Sequence, residues 1–369
     1  MDLRDVTLRE GNQQPGRAYE VDQRVAAGRE LDRLGVAYLQ AGFPVAGDDD
    51  VETVRRLSAE VDADVVGLAR ALPGDVDAVL EAEADVVEVM AGLSDYQLAH
   101  VLDHSAEEML AGLASAVERA HDGGATVHVT LVDAFRSEPA RITAAWDRLA
   151  EVELVTLADT VGVRTPTEVA TTLDALSDAV DLDRIGVHFH DDLGVGTANA
   201  LTAIDAGVGA VDASVAGVGE RAGNAALEEV VVGAELRDVG TPVPASDRLV
   251  PICRAVLEAL DEPIPPRKAI IGEGVTTHES GLHTAAMLKE PATFEPYDPA
   301  RFGGERLLVF GAGSGRRSAA ALLERAGLEP TEAAVEAALE LLAERGPLGL
   351  DEAVETIASD LDAGAAGRD

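Results

Sequence analysis

Residues 154–190 read LVTLADTVGVRTPTEVATTLDALSDAVDLDRIGVHFH and contain one complete strand–helix–strand unit. Leu154–Ala158 and Ile185–His190 are short aliphatic runs, which are typical of strands that are buried on both faces. Between them, Thr165–Glu168 forms a capping box with proline at the first helical position, and apolar residues from Val169 to Val180 follow at helical spacing. The stretch therefore predicts two parallel strands joined by a helix.

The same alternation continues along the chain, where apolar runs begin on average roughly 30 residues apart, the size of a βα unit. The runs are Leu3–Leu8, Val36–Ala41, Asp64–Ala69, Val86–Ala91, Val127–Val132, Leu154–Ala158, Ile185–His190 and Val211–Val215. Ser105–Glu108 opens a further predicted helix, and Gly35 and Gly207 lie where helices are expected to end. This pattern predicts an α/β fold, a (β/α)8 TIM barrel. An open doubly wound sheet is the alternative, although no glycine-rich dinucleotide loop follows the first run.

The alternation ends near residue 245. Prolines cluster between Pro263 and Pro266, and a loop-rich stretch continues to Gly315. Two helical patterns follow, Pro330–Glu344 and Asp351–Leu361. We therefore predict a catalytic barrel over residues 1–244 and a small, mainly helical C-terminal subdomain over residues 245–369 that covers the barrel mouth.

The chain carries 68 acidic and 29 basic residues, a formal net charge of −39. This sign excludes a general nucleic-acid binder, which needs a basic surface. The dispersed acidic residues are typical of a hydrated surface suited to high salt, so we expect a halophilic protein. With 47% hydrophobic residues, the chain has enough apolar surface for a large core. A single cysteine, no apolar run of about 18 residues and no export signal predict a cytoplasmic protein without a membrane span.

His188 and His190 end the seventh run with one residue between them. Because strand side chains alternate between the two faces, we expect both imidazoles on the barrel interior. Active sites of such barrels lie at the carboxyl ends of the strands, where Glu10 follows the first run. Two imidazoles and one carboxylate form a mixed N/O site for a divalent metal with open positions. The alternative is that one histidine is a hydrogen-bonded core residue.

Other polar residues are expected at the same end of the barrel. They are Arg9, Gln13, Gln97, Arg136, Thr160 and the loop Gly217–Asn224. A buried Arg9 needs an anionic partner, which is either a substrate carboxylate or developing alkoxide, or a structural acid such as Asp5. The glycine-rich loop either approaches a phosphate or an extended cofactor closely, or it forms a tight turn.

Four motifs follow one another along the chain. They are Asp5–Gln13, His188–Gly194 with Asn199, Gly217–Asn224 with Glu228 and Glu229, and Thr277–His283. Together they resemble the DRE-TIM metallolyase superfamily and, within it, the 2-isopropylmalate, homocitrate and citramalate synthases. The resemblance covers nearly the whole chain in the right order. It implies a homodimeric acyltransferase that condenses acetyl-CoA with a 2-oxo acid and releases CoA.

The resemblance also implies a role for each candidate residue. A divalent cation (Mg²⁺, Mn²⁺ or Zn²⁺) would be held by Glu10, His188, His190 and Asn224. The catalytic residues would be Arg9 for the alkoxide, His283 for the acetyl methyl proton, and Glu279 and His278 in a relay. The 2-oxo acid would contact Gln13, Gln97, Arg136 and Thr160. The acetyl-CoA side would be lined by Gly217, Gly219, Glu220, Arg221 and Gly223.

The acceptor is expected to be 2-oxoglutarate, because Arg9-Glu10 and Lys289–Pro296 resemble the homocitrate synthases. The alternative is 2-oxoisovalerate or pyruvate, since Ala41–Pro44 is closer to the isopropylmalate and citramalate synthases. A metal-dependent carbon–carbon lyase and a non-catalytic barrel are the other hypotheses. The sequence departs from the family, where relatives usually carry His, Tyr and Lys, at Gln97, Phe294 and Ala312.

Overall fold

The computed structural model describes residues 1–149, 151–237, 239–240 and 242–365. Contacts between residues divide the chain into two compact units, Met1–Ile264 and Pro265–Asp369. The first unit extends past residue 245, where the sequence pattern changes, because the helix Leu249–Ala259 packs against the helix Val21–Leu34. That helix buries apolar side chains such as Ile252 and Val256, so it belongs with the barrel.

The first unit is a closed barrel of parallel strands in the order β1 to β8, with β8 pairing back to β1. The strands are β1 (Asp2–Asp5), β2 (Tyr38–Gly42), β3 (Asp64–Arg70), β4 (Val86–Gly92), β5 (Thr126–Val132), β6 (Leu154–Asp159), β7 (Ile185–Phe189) and β8 (Ala210–Ala213). Their mostly aliphatic residues are buried on both faces, as parallel strands covered by helices require. The predicted (β/α)8 barrel is therefore confirmed.

Helices separate the strands and continue beyond them. They are α1 (Thr7–Gly11), α2 (Val21–Leu34), α3 (Asp48–Glu60), α4 (Pro73–Glu81), α5 (Asp95–Gln97), α6 (Ala106–Asp122), α7 (Pro139–Trp146), α8 (Pro166–Leu176), α9 (Gly196–Ala206), α10 (Leu227–Leu236), α11 (Leu249–Ala259), α12 (Gly281–Met287), α13 (Arg316–Arg325), α14 (Glu332–Arg345) and α15 (Leu350–Ala365). The capping boxes at Ser105 and Thr165 are present, and Gly35 and Gly207 end α2 and α9 in the left-handed conformation. Within the described residues, no helix combines the length and apolarity needed to cross a membrane.

The first and last apolar runs extend further than the strands they contain. β1 ends at Asp5, because the Asp5 carboxylate accepts hydrogen bonds from the Thr7 backbone N–H and hydroxyl and starts α1 there. β8 ends at Ala213, and a single 3₁₀ turn, Val215–Gly217, begins the following loop. These side-chain and turn contacts correct the run boundaries Leu3–Leu8 and Val211–Val215.

The barrel interior holds a layer of polar side chains among the apolar ones. Successive strand residues alternate between the two faces, and inward-facing positions on seven strands carry Arg4, Gln40, Glu88, Thr130, Thr156, His188 and Asp212. Hydrogen bonds and ion pairs link these side chains across the barrel. The layer lies below the carboxyl-terminal mouth and supports the residues that follow the strands.

Up to residue 365, where its description ends, the second unit contains the helices α12 to α15 and a small sheet. The strands β9 (Thr277–His278), β10 (Leu307–Phe310) and β11 (Leu348–Gly349) form the order β11-β10-β9. Phe310, Leu322 and Leu342 are fully buried in its core, which α13, α14 and α15 surround. The two closing helices were predicted from the sequence, whereas α12, α13 and the sheet were not.

Candidate metal centre

Glu10, His188 and His190 form a compact buried cluster at the barrel mouth. Each offers one ligand atom, and these atoms all lie within 4.8 Å of one another. Glu10 lies in α1, His188 lies in β7, and His190 directly follows β7. The His188 and His190 rings are 5.0 Å apart at 76°, and His188 Nε2 lies 3.7 Å from Glu10 Oε1. The structure thus brings together the three strongest metal-ligand candidates.

The donor atoms around this cluster fit a divalent cation. Glu10 Oε2, His190 Nδ1 and Asn224 Oδ1 are buried and have no hydrogen-bond partner among the described residues. Asn224 bridges to His190 through the backbone, and its Nδ2 donates to Val218 O at 3.1 Å, which leaves Oδ1 available. Buried polar atoms are rarely left unpaired, and a cation would satisfy all three. The mixed nitrogen and oxygen donors suit Mg²⁺, Mn²⁺ or Zn²⁺ without selecting one.

Neighbouring charges keep Glu10 in the form that binds metal, and burial does the same for His190. Burial raises the pKa of Glu10, but the neighbouring Arg9 guanidinium and the two histidines outweigh it and lower the pKa to about 2. Burial is also the main cause that lowers the pKa of His190, here to about 4. At neutral pH the cluster therefore presents a carboxylate and a neutral imidazole, which are the metal-binding forms of these groups.

His188 is held by a second carboxylate that the sequence did not single out. Asp212 Oδ2 lies 3.1 Å from His188 Nδ1. Burial alone would raise the pKa of Asp212, but Arg4 and the His188 contact together lower it below the ordinary value, so Asp212 is an acceptor and His188 donates from Nδ1. This leaves Nε2 with a free lone pair that faces Glu10. A carboxylate behind a histidine is a frequent arrangement around metal ligands.

Arg9 lies beside the cluster with most of its side chain buried. Its Nε donates to Gln40 Oε1 at 2.6 Å, and its Nη1 contacts Glu10 and donates to Gln13 Oε1 at 3.3 Å. The alternative was a structural pair between Arg9 and Asp5 or another acid; Asp5 accepts from Thr7 instead, and Glu10 is the acid that Arg9 contacts. The Arg9 guanidinium therefore lies next to the proposed metal position, in contact with Glu10.

A cavity of about 160 Å³ opens in front of these side chains. The candidates in its wall are Arg9, Glu10, Gln13, Thr160, His188, His190 and Glu220. Leu68, Met90, Val132 and Ala158 supply an apolar part of the wall, and Gln40, Glu88 and Asp212 belong to it although they were not predicted.

Gln97 and Arg136 are not among the residues that line this cavity, although Asp133 links Arg136 to Thr160, since its backbone N–H donates to Thr160 Oγ1 at 2.9 Å. The Arg136 guanidinium instead forms two 2.7 Å hydrogen bonds to Asp133 and lies over the Tyr96 ring, 4.7 Å from its centroid. A carboxylate already occupies the position that a substrate carboxylate would take on Arg136.

The loop Gly217–Asn224 is folded tightly against the end of β7. Gly217 and Gly223 have φ of +74° and +85°, and a Cβ on Gly223 would lie 1.8 Å from Gly217 O. Arg221 donates to both carboxylate oxygens of Asp192, at 2.8 and 3.0 Å. The turn geometry explains the glycines at 217 and 223, and the same fold brings Glu220 to the cavity wall. Gly219 is also crowded, since its Cβ would lie 2.2 Å from Asn224 Nδ2.

In the second unit, His278 and His283 lie close together and are half-buried. Their ring centroids are 6.1 Å apart, and His283 stacks on Phe294 at 3.9 Å and 24°. Burial lowers the pKa of His278. Glu279 is exposed at the end of β9, where its carboxylate approaches Gly311 and Gly313. Within this unit the structure brings the three residues together around Phe294 and the Gly311–Gly315 turn.

Comparisons with known proteins identify both units. Residues 1–251 match the HMGL-like family, and residues 270–346 match the homocitrate synthase post-HMGL domain-like family. The chain is 40% identical to the homocitrate synthase AksA of Methanopyrus kandleri over 91% of this chain and 85% of that protein. It is 38% identical to a probable 2-isopropylmalate synthase of the same organism, over 94% of this chain and 70% of that protein.

A third relative from Methanopyrus kandleri, a putative (R)-citramalate synthase, is 40% identical over 83% of this chain and 61% of its own length. Among solved structures, an HMG-CoA lyase from Bacillus subtilis superimposes with a TM-score of 0.65 over 72% of this chain and 95% of that chain. Its sequence identity is 23%, so it shows the shared fold alone.

Proposed function

This chain belongs to the HMGL-like family, and on that premise we propose that it condenses acetyl-CoA with a 2-oxo acid, with 2-oxoglutarate as the favoured acceptor. The reaction forms a carbon–carbon bond between the acetyl methyl carbon and the ketone carbon, and thioester hydrolysis then releases CoA. The observation that carries the proposal is the buried cluster of Glu10, His188 and His190 beside Arg9. A divalent cation held by this cluster, with Asn224 as a further ligand, would polarise the ketone.

The protein's own residues account for the remaining chemistry. Arg9 points its guanidinium toward the same cavity wall as Glu10, where it would stabilise the alkoxide that forms on the ketone oxygen. Gln13 and Thr160 offer hydrogen-bond partners to the acid. His283 would remove a proton from the acetyl methyl group, with Glu279 and His278 in a relay. The loop from Gly217 to Gly223 would line the acetyl-CoA side.

The acceptor assignment rests on the relatives. Homocitrate synthases are among the proteins to which this chain is most similar, and residues 270–346 match a domain described from that enzyme. In this interpretation 2-oxoglutarate would bind with its ketone and adjacent carboxylate at the metal cluster. Its second carboxylate would need a cation or several hydrogen-bond donors farther along the cavity.

The cavity wall favours a second candidate acceptor, 2-oxoisovalerate or pyruvate. Leu68, Met90 and Val132 form an apolar wall that suits a short hydrocarbon group. Arg136, the predicted partner for a distal carboxylate, is already paired with Asp133. Relatives with 38–40% identity also include proteins named as isopropylmalate and citramalate synthases.

One assay separates these possibilities. Purified protein with Mg²⁺ or Mn²⁺ in high salt is mixed with acetyl-CoA and, in turn, 2-oxoglutarate, 2-oxoisovalerate, pyruvate or oxaloacetate, and free CoA is followed with a thiol reagent. We expect the largest kcat/KM with 2-oxoglutarate. Selective release with 2-oxoisovalerate or pyruvate would replace the homocitrate assignment, and no release with any acceptor would contradict the condensation itself.

The assembly is proposed to be a cytoplasmic homodimer in which the C-terminal subdomain of one copy covers the barrel mouth of the other. Several loops after barrel strands expose large apolar side chains, including Val45, Leu72, Tyr96, Val163 and Leu193. Exposed apolar groups clustered at one end of a barrel suit a covered surface. Mixing inactive Glu10→Ala and His283→Ala proteins would restore activity if His283 acts on the partner's barrel, and an inactive mixture of dimers would contradict this.

A further inference from the structure

Arg4 is an internal charge that the proposed chemistry does not use. It lies on β1 below the cavity and has no solvent-exposed surface. Its Nε and Nη2 donate to the two oxygens of Asp212, each at 2.8 Å, and Nη2 also donates to Thr156 Oγ1 at 3.0 Å. Nη1 lies 2.9 Å from Glu88 Oε1. One guanidinium therefore connects β8, β6 and β4 across the barrel interior.

The two carboxylates extend from Arg4 in different directions. Asp212 contacts Nδ1 of His188, one of the three metal-ligand candidates. Glu88 accepts from the Gln40 amide, whose oxygen accepts from Arg9 Nε at 2.6 Å. Arg9 in turn contacts Glu10, whose Oε1 lies 3.7 Å from His188 Nε2, so the contacts form a closed ring that passes from Arg4 to the metal cluster on both sides.

We propose that Arg4 is a positioning residue that orients His188 through Asp212 and Arg9 through Glu88 and Gln40; the inference rests on the proposed metal site. The paired Asp212 carboxylate holds the His188 ring with Nε2 toward the cation, which sets ligand geometry. Gln40, held by Glu88, accepts from Nε of Arg9 and so fixes the guanidinium at the cavity wall. Removing the Arg4 guanidinium would free both Asp212, which holds His188, and Glu88, which holds Gln40 and through it Arg9.

A matched comparison is available within the same barrel. Arg24 and Asp50 form another buried ion pair, with exposed side-chain fractions of 2% and 15%, but neither residue lines the cavity. Arg24→Lys therefore loses a buried guanidinium that is paired with a carboxylate, without changing any residue of the ring. Arg4→Lys keeps the positive charge at position 4 but cannot donate to Asp212 and Thr156 and approach Glu88 in the same planar geometry.

The first measurement is Mn²⁺ affinity of metal-stripped, full-length protein, by titration calorimetry without substrate. We expect Asp212→Asn and Arg4→Lys to weaken Mn²⁺ binding by about tenfold to a hundredfold, the usual effect of losing a partner of a metal-binding histidine. Arg24→Lys should bind Mn²⁺ as the unmodified protein does. Circular dichroism and thermal unfolding of each metal-free variant check that it is folded.

The second measurement separates the two arms. The Mn²⁺ affinity of Glu88→Gln should stay within about threefold of that of the unmodified protein, because His188 keeps its hydrogen bond to Asp212. The expected loss is therefore smaller than that for removing Asp212 itself. Its kcat should fall with little change in the KM for acetyl-CoA, since the alkoxide contact of Arg9 matters in the transition state. This readout needs activity, whereas the Mn²⁺ readout remains valid even if none of the 2-oxo acids is a substrate.

Unchanged Mn²⁺ affinity in folded Asp212→Asn or Arg4→Lys would overturn the proposal for the His188 arm. An unchanged kcat in Glu88→Gln would overturn it for the Arg9 arm. If Asp212→Asn does not fold, Arg4→Lys decides alone. If both fail to fold while Arg24→Lys folds, the role of Arg4 is structural and the positioning proposal is wrong.

Discussion

His188 and His128 are both buried histidines on strands of the same barrel, and their surroundings differ sharply. His188 contacts Asp212, lies near Glu10 and faces the cavity. Within the part of the chain that the structure describes, His128 has no hydrogen-bond partner on either ring nitrogen, and its ring packs in a T-shaped arrangement against Tyr38, 4.8 Å between centroids. Burial, followed by the charge of Arg4, lowers the pKa of His128 to about 3. One histidine is a ligand candidate and the other is a neutral core residue.

Position along the barrel accounts for the difference. Both histidines lie opposite residues of β6, His128 opposite Leu154 at its start and His188 opposite Ala158 near its end. Four residues of a parallel strand span about 13 Å. At the upper level, α1 and the loop after β8 bring Glu10 and Asn224 to His188 and His190, whereas Tyr38 supplies a ring face at the lower level. Convergence of loops at the mouth, rather than burial alone, makes a histidine available for chemistry.

Removing each imidazole tests this comparison with the largest expected effect. His188→Ala should bring CoA release to background and weaken Mn²⁺ binding by more than a hundredfold, beyond the effect of losing an orienting partner, because it deletes a ligand atom. His128→Leu, which replaces the ring with a side chain of similar size, should keep kcat and Mn²⁺ affinity within about threefold. Titration calorimetry and the thiol assay measure both. Equal losses in the two variants would end the distinction between the two levels.

The mouth of the barrel was predictable because its signals are local. The spacing of His188 and His190 gives two side chains on one face, and Arg9-Glu10 directly follows an apolar run. The sequence did not predict the closed ring of contacts through Arg4, although Arg4, Glu88 and Asp212 interrupt apolar runs at inward-facing positions. The alternation rule, applied to whole strands instead of their ends, indicates each of them as inward-facing.

Other features depend on contacts that spacing does not reveal. Arg136 follows β5 as predicted, but its bidentate pair with Asp133, three residues earlier, turns it away from the cavity. The early end of β1 depends on side-chain bonds between Asp5 and Thr7. In the second unit, β9, β10 and β11 are too short to give a periodic pattern, so the sheet emerges from long-range pairing.

The pH dependence of the free energy of unfolding tests, with an effect of intermediate size, whether His128 is a neutral core residue. Its pKa is about 3 in the folded protein against 6.5 for an ordinary histidine. Below pH 6.5 the unfolded chain takes up a proton here that the folded chain does not, so the stability contributed by His128 is present above pH 6.5 and lost toward pH 3.

Between pH 7 and pH 5, the free energy of unfolding of the unmodified protein should therefore fall by about 2 kcal/mol relative to His128→Leu. Urea unfolding at each pH, in constant salt, gives this difference, in which other titrating groups cancel. If the difference does not change with pH, His128 is solvated or charged in the folded protein, and the contrast with His188 disappears.

The smallest expected effect comes from replacing residues that lie on the loops after the strands but take no part in the ring of contacts through Arg4. Thr165 and Ser105 cap α8 and α6 on loops after β6 and β4, and each hydroxyl donates to a glutamate carboxylate at 2.7 Å. Replacing either by Ala should lower the free energy of unfolding by about 1 kcal/mol, since a cap satisfies otherwise free N–H groups of the first helical turn. Mn²⁺ affinity should stay unchanged, because neither residue contacts the ligands of the proposed site. Weaker Mn²⁺ binding in folded Thr165→Ala would mean that the whole rim, and not the ring through Arg4, sets the metal geometry.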